Sequence, residues 1–374
     1  MTHRAPSPEP GALPPRPAPA TFPYMDVPAL AAQLASGSTP ALARAISIVE
    51  NGRPGFEELL AGLHSELGRA RRIGITGPPG AGKSTLTERL VLALRAAGHR
   101  VAVVAVDPTS PFTGGALLGD RIRMESVALD PDVYIRSMAT RGSLGGLATS
   151  TREVCDILDA AGFDRILIET VGVGQSELAV TRSADTTLLV LVPESGDGIQ
   201  ALKAGVMEAA DVYVVNKADR PGADRLRQEI EVSLGIRSGV GFRHVPAHHG
   251  ALKAMAPTAR RVRAHAGDPA AETWLPPVLA TVAAAGDGVG ELVAALDHHA
   301  EWLERSGELA ERRRRRITDR IREVVARHLQ QWLWDESQAD RLVRDRLDDV
   351  AAGRQSPYEV AADVLEQVRQ GARV

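Results

Sequence analysis

A glycine-rich loop between an apolar run and an amphipathic run constrains the fold of this chain more than any other sequence feature. From Gly77 to Thr85 the sequence is Gly-Pro-Pro-Gly-Ala-Gly-Lys-Ser-Thr, which fits the pattern G-x-x-x-x-G-K-[ST]. Residues 73–76 predict a short buried strand, and residues 85–97 predict a helix with leucines on one face. This order predicts a phosphate-binding loop, because glycine lets the backbone approach an anion at the helix N-terminus.

The polar residues of the loop have separate predicted roles. We assign Lys83 a catalytic role as a point charge on the phosphates, and we assign the Ser84 hydroxyl to the ligand shell of Mg²⁺. A chance match in a chain with 35 glycines is the alternative, and the flanking strand and helix argue against it. The predicted nucleotide-binding residues of the loop are Gly77, Pro78, Pro79, Gly80, Ala81, Gly82, Lys83, Ser84 and Thr85.

Composition narrows the class of protein. The 374 residues are 44% hydrophobic with a net charge of −3, so the chain is expected to be globular without a nucleic-acid partner. Cys155 is the single cysteine, which excludes an internal disulfide framework and a zinc site of paired cysteines. No apolar stretch approaches the roughly 20 residues of a membrane span. We therefore expect a cytoplasmic protein with no membrane partner.

The sequence divides into four predicted regions. Residues 1–22 are rich in proline and are expected to form a disordered leader, and residues 23–70 form an N-terminal helical segment. Residues 71–300 alternate apolar runs with helical patterns, which predicts a doubly wound, mostly parallel α/β sheet. Residues 301–374 are predicted to be helical. The predicted strands after the first lie at residues 100–106, 133–137, 165–169, 186–192, 211–216 and 278–282.

Five consecutive arginines, Arg312 to Arg316, lie in the C-terminal helical region. Five adjacent residues on a helix point in all directions around its axis. With Glu308 and Glu311 nearby, the run predicts a solvated helix rather than a dedicated anion site.

A second motif predicts which base is bound. Asn216, Lys217 and Asp219 fit the pattern N-K-x-D at the end of a predicted strand. The guanine edge presents two adjacent donors, N1–H and the exocyclic amine, and the single carboxylate of Asp219 can accept both. Adenine lacks this pair of donors, so the motif downstream of a phosphate-binding loop favours GTP over ATP.

Three carboxylates are candidates for the metal and for catalysis. Glu169 ends a predicted strand and can hold Mg²⁺, and the N–H of Gly172 just after it can contact a γ-phosphate. Asp107 ends the strand after the loop helix, and Asp120 lies in a glycine-rich segment. Both are candidates to complete the Mg²⁺ shell or to position the attacking water. The alternative for each aspartate is a cap of a turn or helix.

Five segments of the chain form a specific set, and they begin at Val106 (Val-Asp-Pro-Thr-Ser-Pro), Thr113 (Thr-Gly-Gly-Ala-Leu-Leu-Gly-Asp-Arg-Ile-Arg-Met), Gly142 (Gly-Ser-Leu-Gly-Gly), Glu169 (Glu-Thr-Val-Gly-Val-Gly-Gln-Ser-Glu) and Asn216 (Asn-Lys-Ala-Asp). Together they resemble one family, the P-loop GTPases that accompany methylmalonyl-CoA mutase (the MeaB/ArgK family). The resemblance extends from about residue 29 to about residue 364. It implies a GTPase that binds GTP or GDP with Mg²⁺, forms homodimers through its C-terminal helices, and assists a cobalamin-dependent acyl-CoA mutase by gating adenosylcobalamin delivery and protecting the cofactor.

The resemblance also assigns residues by position. It places Lys83 and Ser84 on phosphate and Mg²⁺, and it assigns mobile switch segments to residues 107–123, 169–177 and 193–203. The guanine loop of the family, Ser-Ala, aligns with Val282, Ala283 and Ala284, so the serine hydroxyl is absent and backbone contacts remain. Further departures are Arg220-Pro221 after the base motif, residues 193–197 in the third switch, and a long segment at residues 235–273.

Three other functions fit parts of the sequence. A nickel-type metallochaperone GTPase would share the nucleotide fold, and four histidines offer ligands for it: His244, His248, His249 and His265. Against it, the leader contains one histidine, His3, and no cysteine. An ATP-dependent kinase linked to amino-acid transport conflicts with the guanine motif. A non-enzymatic scaffold conflicts with the presence of Lys83, Ser84 and Glu169.

Overall fold

The structure is a computed structural model, and it describes residues 26–107, 124, 126–139, 144–170, 176–195, 206–238, 273–336 and 339–369. Seven strands in these ranges form one sheet in the order β3-β2-β4-β1-β5-β6-β7, and every pairing is parallel. The strands are β1 (Arg71–Thr76), β2 (Val101–Asp107), β3 (Val133–Ala139), β4 (Arg165–Thr170), β5 (Thr186–Leu191), β6 (Val212–Asn216) and β7 (Val278–Thr281).

The strands are apolar because helices cover both faces of the sheet. Every residue of β4, β5 and β6 is buried, as a parallel sheet between two helical layers requires. The doubly wound parallel fold predicted from the sequence is therefore confirmed. Because β1 lies between β4 and β5, the strand order reverses beside β1, and ligands of such sheets bind at the carboxyl ends of the strands at this point.

Helices connect the strands and extend the chain at both ends. In the part of the chain that the structure describes, three α-helices precede the sheet and four follow it. Their bounds, in chain order, are α1 (Val27–Ala35), α2 (Thr39–Glu50), α3 (Phe56–Leu63), α4 (Lys83–Ala96), α5 (Leu144–Ala160), α6 (Ser176–Ser183), α7 (Val206–Ala209), α8 (Ala223–Ser238), α9 (Val289–Ser306), α10 (Glu308–Gln331), α11 (Ala339–Ala351) and α12 (Pro357–Arg369). Within these described ranges, no helix is long and apolar enough to cross a membrane.

The N-terminal helices share a hydrophobic core with the sheet. Leu34 and Ile46 are fully buried in the same cluster as Val104 of β2 and Ile168 of β4. The helices begin where the sequence supplies caps, since Asp26 accepts from the Ala29 N–H and Ser38 accepts from the Ala41 N–H. A second cluster fills the other face, beneath α4 and α9. Both faces of the sheet are thus packed against helices.

The arginine run does not form a solvated helix face, so that prediction was wrong for three of its five members. Arg313 and Arg316 of α10 both bond the carboxylate of Asp185, and Arg312 bonds the carboxylate of Asp211 with two nitrogens at 2.9 and 3.0 Å. Burial would raise the pKa of Asp185, but the charges and hydrogen bonds of Arg316 and Arg313 outweigh burial and lower the pKa to about 2.

This ionic contact fixes the position of the C-terminal arm. Asp185 and Asp211 come directly before β5 and β6, so they lie at the amino ends of the strands. The arm therefore packs at the amino ends of the strands, whereas the glycine-rich loop lies at their carboxyl ends. A sequence pattern does not show this, because the acidic partners are more than 100 residues away along the chain.

Candidate nucleotide-binding site

The glycine-rich loop connects β1 to α4 at the carboxyl edge of the sheet. Gly77 has φ of 142°, and a Cβ atom at this position would lie 2.0 Å from the carbonyl oxygen of Val190 in β5. Side chains rarely adopt this φ, and the neighbouring backbone occupies the space that a side chain would need. Glycine is therefore required at the first loop position, where the chain leaves β1 and passes close to the backbone of β5.

Lys83 lies inside the loop. Its Nζ donates hydrogen bonds to the carbonyl oxygens of Gly77, at 2.8 Å, and of Pro78, at 2.9 Å, and the residue is 5% exposed. Lys83 is also the first residue of α4, whose first N–H groups have no partners within the helix. The loop thus combines a buried ammonium group with the positive end of a helix, an arrangement that binds phosphate.

Ser84, in the first turn of α4, contacts Glu169, near the end of β4. Ser84 Oγ donates a 2.6 Å hydrogen bond to Glu169 Oε1, and Glu169 is 5% exposed near the end of β4. Beside this contact, the last residues of β1 and β4 are also joined, because Thr170 Oγ1 donates to Thr76 Oγ1 at 3.3 Å. Two of the four residues that the sequence predicted as metal ligands, Ser84 and Glu169, are therefore in direct contact.

Asn216, the first residue of the base motif, bonds both the glycine-rich loop and the end of β7. Its Nδ2 donates to the carbonyl oxygen of Ala81 at 2.8 Å, and its Oδ1 accepts from Thr281 Oγ1 and from the Ala283 N–H, both at 3.1 Å. A Cβ atom on Gly82 would lie 2.5 Å from the Asn216 amide nitrogen, so this contact needs glycine at that position. One buried side chain thus brings together three segments that are far apart in the sequence.

The rest of the base motif lies in a turn after β6. Lys217 has φ of 55°, in the left-handed region, and among the described residues no other non-glycine residue has a positive φ. The Ala218 N–H donates to the carbonyl oxygen of Thr281 at 3.0 Å, and Asp219 follows as an exposed carboxylate. The motif and the turn at residues 282–284 therefore lie side by side.

Two of the predicted departures from the family pattern contact each other. Arg220, after the base motif, forms an ion pair with Glu194, in the predicted third switch. Both side chains are about half exposed, so the pair contributes little to stability. It nevertheless joins the base motif to the beginning of residues 193–203.

Some predicted residues lie outside the described part of the chain. Asp120, Gly172 and the four histidines at 244, 248, 249 and 265 belong to this group. Asp107 is described as the last residue of β2, where it pairs with Ala139, but its side chain is not described. The predicted roles of these residues stay predictions.

Sequence reasoning missed Arg89. It lies on α4, and its guanidinium group donates to the carbonyl oxygens of Ala283, at 3.1 Å, and Ala284, at 2.6 Å. No sequence signal identifies this contact, because a single arginine on a helix is most often a solvated residue. Its partners are backbone atoms almost 200 residues later in the chain.

Comparisons with known proteins identify the family of this chain. The profile of the family described as "Methylmalonyl Co-A mutase-associated GTPase MeaB" matches residues 42–338. A putative GTPase of Pyrococcus abyssi is 46% identical over 294 residues, which are 79% of this chain and 82% of that protein. A probable GTPase of Mycobacterium tuberculosis is 41% identical over 342 residues, 90% of this chain and 94% of that protein.

A solved structure supports the fold over nearly the whole chain. The crystal structure of a LAO/AO transport system kinase superposes with a TM-score of 0.62 at 26% identity, and the match covers 92% of this chain and 97% of that one. The family profile covers well over half of the chain, and the relatives are named GTPases. The chain is therefore a GTPase and belongs to the methylmalonyl Co-A mutase-associated GTPase MeaB family.

Proposed function

We propose that this GTPase is a nucleotide-operated switch that serves a cobalamin-dependent acyl-CoA mutase of the methylmalonyl-CoA mutase type. Its nucleotide state would gate delivery of adenosylcobalamin and protect the mutase. The observation that carries the proposal is the match of the mutase-associated family over residues 42–338, together with the convergence of Lys83, Glu169 and Asn216 at one edge of the sheet.

The proposed chemistry is in-line attack of water on the γ-phosphate. Lys83, held inside the loop, stabilises charge that develops on the phosphate oxygens. Ser84 and Glu169 fit Mg²⁺, because a hydroxyl and a carboxylate oxygen 2.6 Å apart are the hard oxygen donors that this ion prefers. When bound, Mg²⁺ would supply positive charge against the phosphates. Asp107 and Asp120 stay proposed contributors to the metal shell or to the position of the water.

The proposed base reader is Asp219, with backbone groups of Val282, Ala283 and Ala284 beside it. Support comes from the hydrogen bonds of Asn216 and Ala218 that place the end of β7 against the base motif. Val173 occupies the position at which some GTPases carry a water-orienting glutamine. We therefore propose slow intrinsic hydrolysis that the partner accelerates.

The C-terminal arm is proposed to pair with a second copy of the chain. Four apolar residues spaced by four on α10 form one exposed stripe, and each is at least half exposed. The same helix borders a cavity of about 690 Å³ that faces α3 and α5. A homodimer would cover this apolar surface, and light scattering of the purified protein tests it. The residues of the stripe are Ile317, Ile321, Val325 and Leu329.

The central test is GTP hydrolysis by the purified protein with and without purified mutases of the methylmalonyl-, isobutyryl- and ethylmalonyl-CoA type. We expect the protein to bind one of these mutases with an affinity that depends on the bound nucleotide. We also expect it to hydrolyse GTP faster when that mutase is present. Equal rates with and without every mutase would contradict the proposal. Specific binding of a hydrogenase or urease subunit instead would favour a nickel-type chaperone.

A further inference from the structure

The turn after β7 is held on one side by its own backbone and by Asn216. The N–H groups of Ala285 and Gly286 both donate to the carbonyl oxygen of Val282 at 2.9 Å, and the Ala283 N–H donates to Asn216 Oδ1. Among the hydrogen bonds that the structure describes in this turn, none uses the N–H of Ala284. One backbone donor of the turn is thus available to a ligand.

Arg89 holds the other side of the turn. Its Nε donates to the carbonyl oxygen of Ala283 at 3.1 Å, and its Nη2 donates to the carbonyl oxygen of Ala284 at 2.6 Å. A planar guanidinium fork fixes the direction of both acceptors, which a single flexible ammonium group does not. Two consecutive peptide groups are therefore oriented by one side chain.

The orientation of these peptide groups determines where the Ala284 N–H points. In a trans peptide the C=O and the following N–H point in opposite directions within one plane. Because the Ala283 carbonyl points toward Arg89, the N–H of Ala284 points to the opposite side of the turn. The side chain at position 282 is valine, which offers no hydroxyl to fix the turn instead.

We infer that Arg89 is a specificity-determining positioning residue, which aims the Ala284 N–H at the 6-oxo group of a guanine base. The inference rests on the proposed assignment of residues 282–284 to the base. Arg89 lies on the same helix that begins with Lys83, so one rigid element orients groups at both the phosphate end and the base end of the nucleotide. The 6-amino group of adenine presents a donor at that position and gains nothing from this N–H.

The test compares the affinities of GDP, IDP and ADP for the wild-type protein and for Arg89→Ala. GDP and IDP share the 6-oxo group, so both should bind about tenfold more weakly to the variant, while ADP binding stays unchanged. The ratio of GDP to IDP affinity should also stay unchanged, because it reports the exocyclic amine that Asp219 reads. With GTP, KM should rise by the same factor while kcat changes less than about twofold.

Two further variants make the result decisive. Arg95→Ala removes an arginine from the same helix whose partners are Asp130, Asp132 and the His99 carbonyl, and it should leave all three affinities unchanged. Arg89→Lys can reach one carbonyl and should lose part of the affinity for GDP. This variant decides the question if Arg89→Ala does not fold, as judged by its circular dichroism.

The outcomes separate this inference from the assignment on which it rests. Unchanged GDP affinity in both Arg89 variants, or an equal loss for GDP and ADP, overturns the role of Arg89. A wild-type protein that binds GDP and ADP equally overturns the assignment of the turn and of Asp219 to the base.

Discussion

Ser84 Oγ donates a 2.6 Å hydrogen bond to Glu169 Oε1, which joins the first turn of α4 to the end of β4. Substitution of Glu169 tests its proposed role as a ligand of Mg²⁺. Glu169→Gln removes the carboxylate charge but keeps the shape, so Mg²⁺-dependent GTP hydrolysis should fall by about 100-fold or more, whereas GDP binding in EDTA should persist. Glu88→Gln is the matched control, since Glu88 also accepts from a serine hydroxyl, that of Ser126. Equal hydrolysis by both variants would contradict the metal role.

Asp219→Asn should change the preferred base. Asparagine presents an acceptor and a donor where aspartate presents two acceptors, so it complements xanthine better than guanine. The preference for GTP over XTP, measured as the ratio of kcat/KM values, should fall by about 100-fold or more. Asp224→Asn, an exposed aspartate at the start of α8, is the control. An unchanged ratio would remove Asp219 from base reading.

Gly77→Ala should disrupt the loop, and Gly80→Ala should disrupt it far less. Both glycines have positive φ, but a Cβ at Gly77 would lie 2.0 Å from the Val190 carbonyl, whereas a Cβ at Gly80 has nothing within 4 Å. We expect Gly80→Ala to cost about 1 kcal/mol of unfolding free energy from backbone conformation. Gly77→Ala should cost more and should also abolish GDP binding. Urea unfolding and nucleotide titration measure the two effects, and equal costs would refute the steric argument.

Asp185→Asn should loosen the C-terminal arm. The substitution leaves Arg313 and Arg316 partly buried without their negative partner, which typically costs about 3–5 kcal/mol of unfolding free energy. Arg315→Ala, in the same arginine run but pairing with exposed Glu311, should change stability by less than about 0.5 kcal/mol. Denaturant unfolding compares them. A similar small effect for both would mean that the buried network does not anchor the arm.

His299 should make stability depend on pH. It is fully buried, its Nδ1 lies 2.9 Å from Thr186 Oγ1 and its Nε2 lies 3.4 Å from Asp211 Oδ1. Burial lowers the pKa of His299 to about 4, although Asp211 acts in the opposite direction and Arg312 in the same one. The unfolded state therefore takes up a proton first, and stability falls as pH drops from about 6.5 toward 4, by about 3 kcal/mol in total.

A variant tests this origin of the pH dependence. His299→Gln has no group that titrates in this range, so its unfolding free energy should lose the slope between pH 6.5 and 4. The pKa of Asp185, at about 2, affects stability only at lower pH, as that carboxylate is protonated between about pH 4 and 2. An identical slope in the variant and the wild type would assign the pH dependence to other groups.

The sheet was predictable because each strand is buried on both faces. A parallel strand between two helical layers needs an unbroken run of apolar residues, and such runs differ from the amphipathic patterns of the helices. All seven predicted strands are present, with ends within two residues of those predicted. The residue types of the loop and of the base motif were equally visible, since the chemistry of phosphate and guanine limits which residues can serve.

The ionic and polar contacts were less predictable. The sequence predicted a solvated arginine run because the partners of these arginines, Asp185 and Asp211, lie more than 100 residues away. No sequence pattern distinguishes these two aspartates from others in the chain. Arg89 carried no signal for the same reason, since its acceptors are backbone carbonyls that any sequence possesses.

The sequence alone determined the fold, the phosphate-binding loop and the family, because apolar periodicity and a few obligatory glycines and polar residues are local properties. Only the tertiary structure decided that Asn216 bonds both Ala81 and Ala283, that Arg89 holds the turn after β7, and that Asp185 binds the arm. Each of these contacts depends on the distance between groups that the chain brings together only when the sheet and its helices have formed.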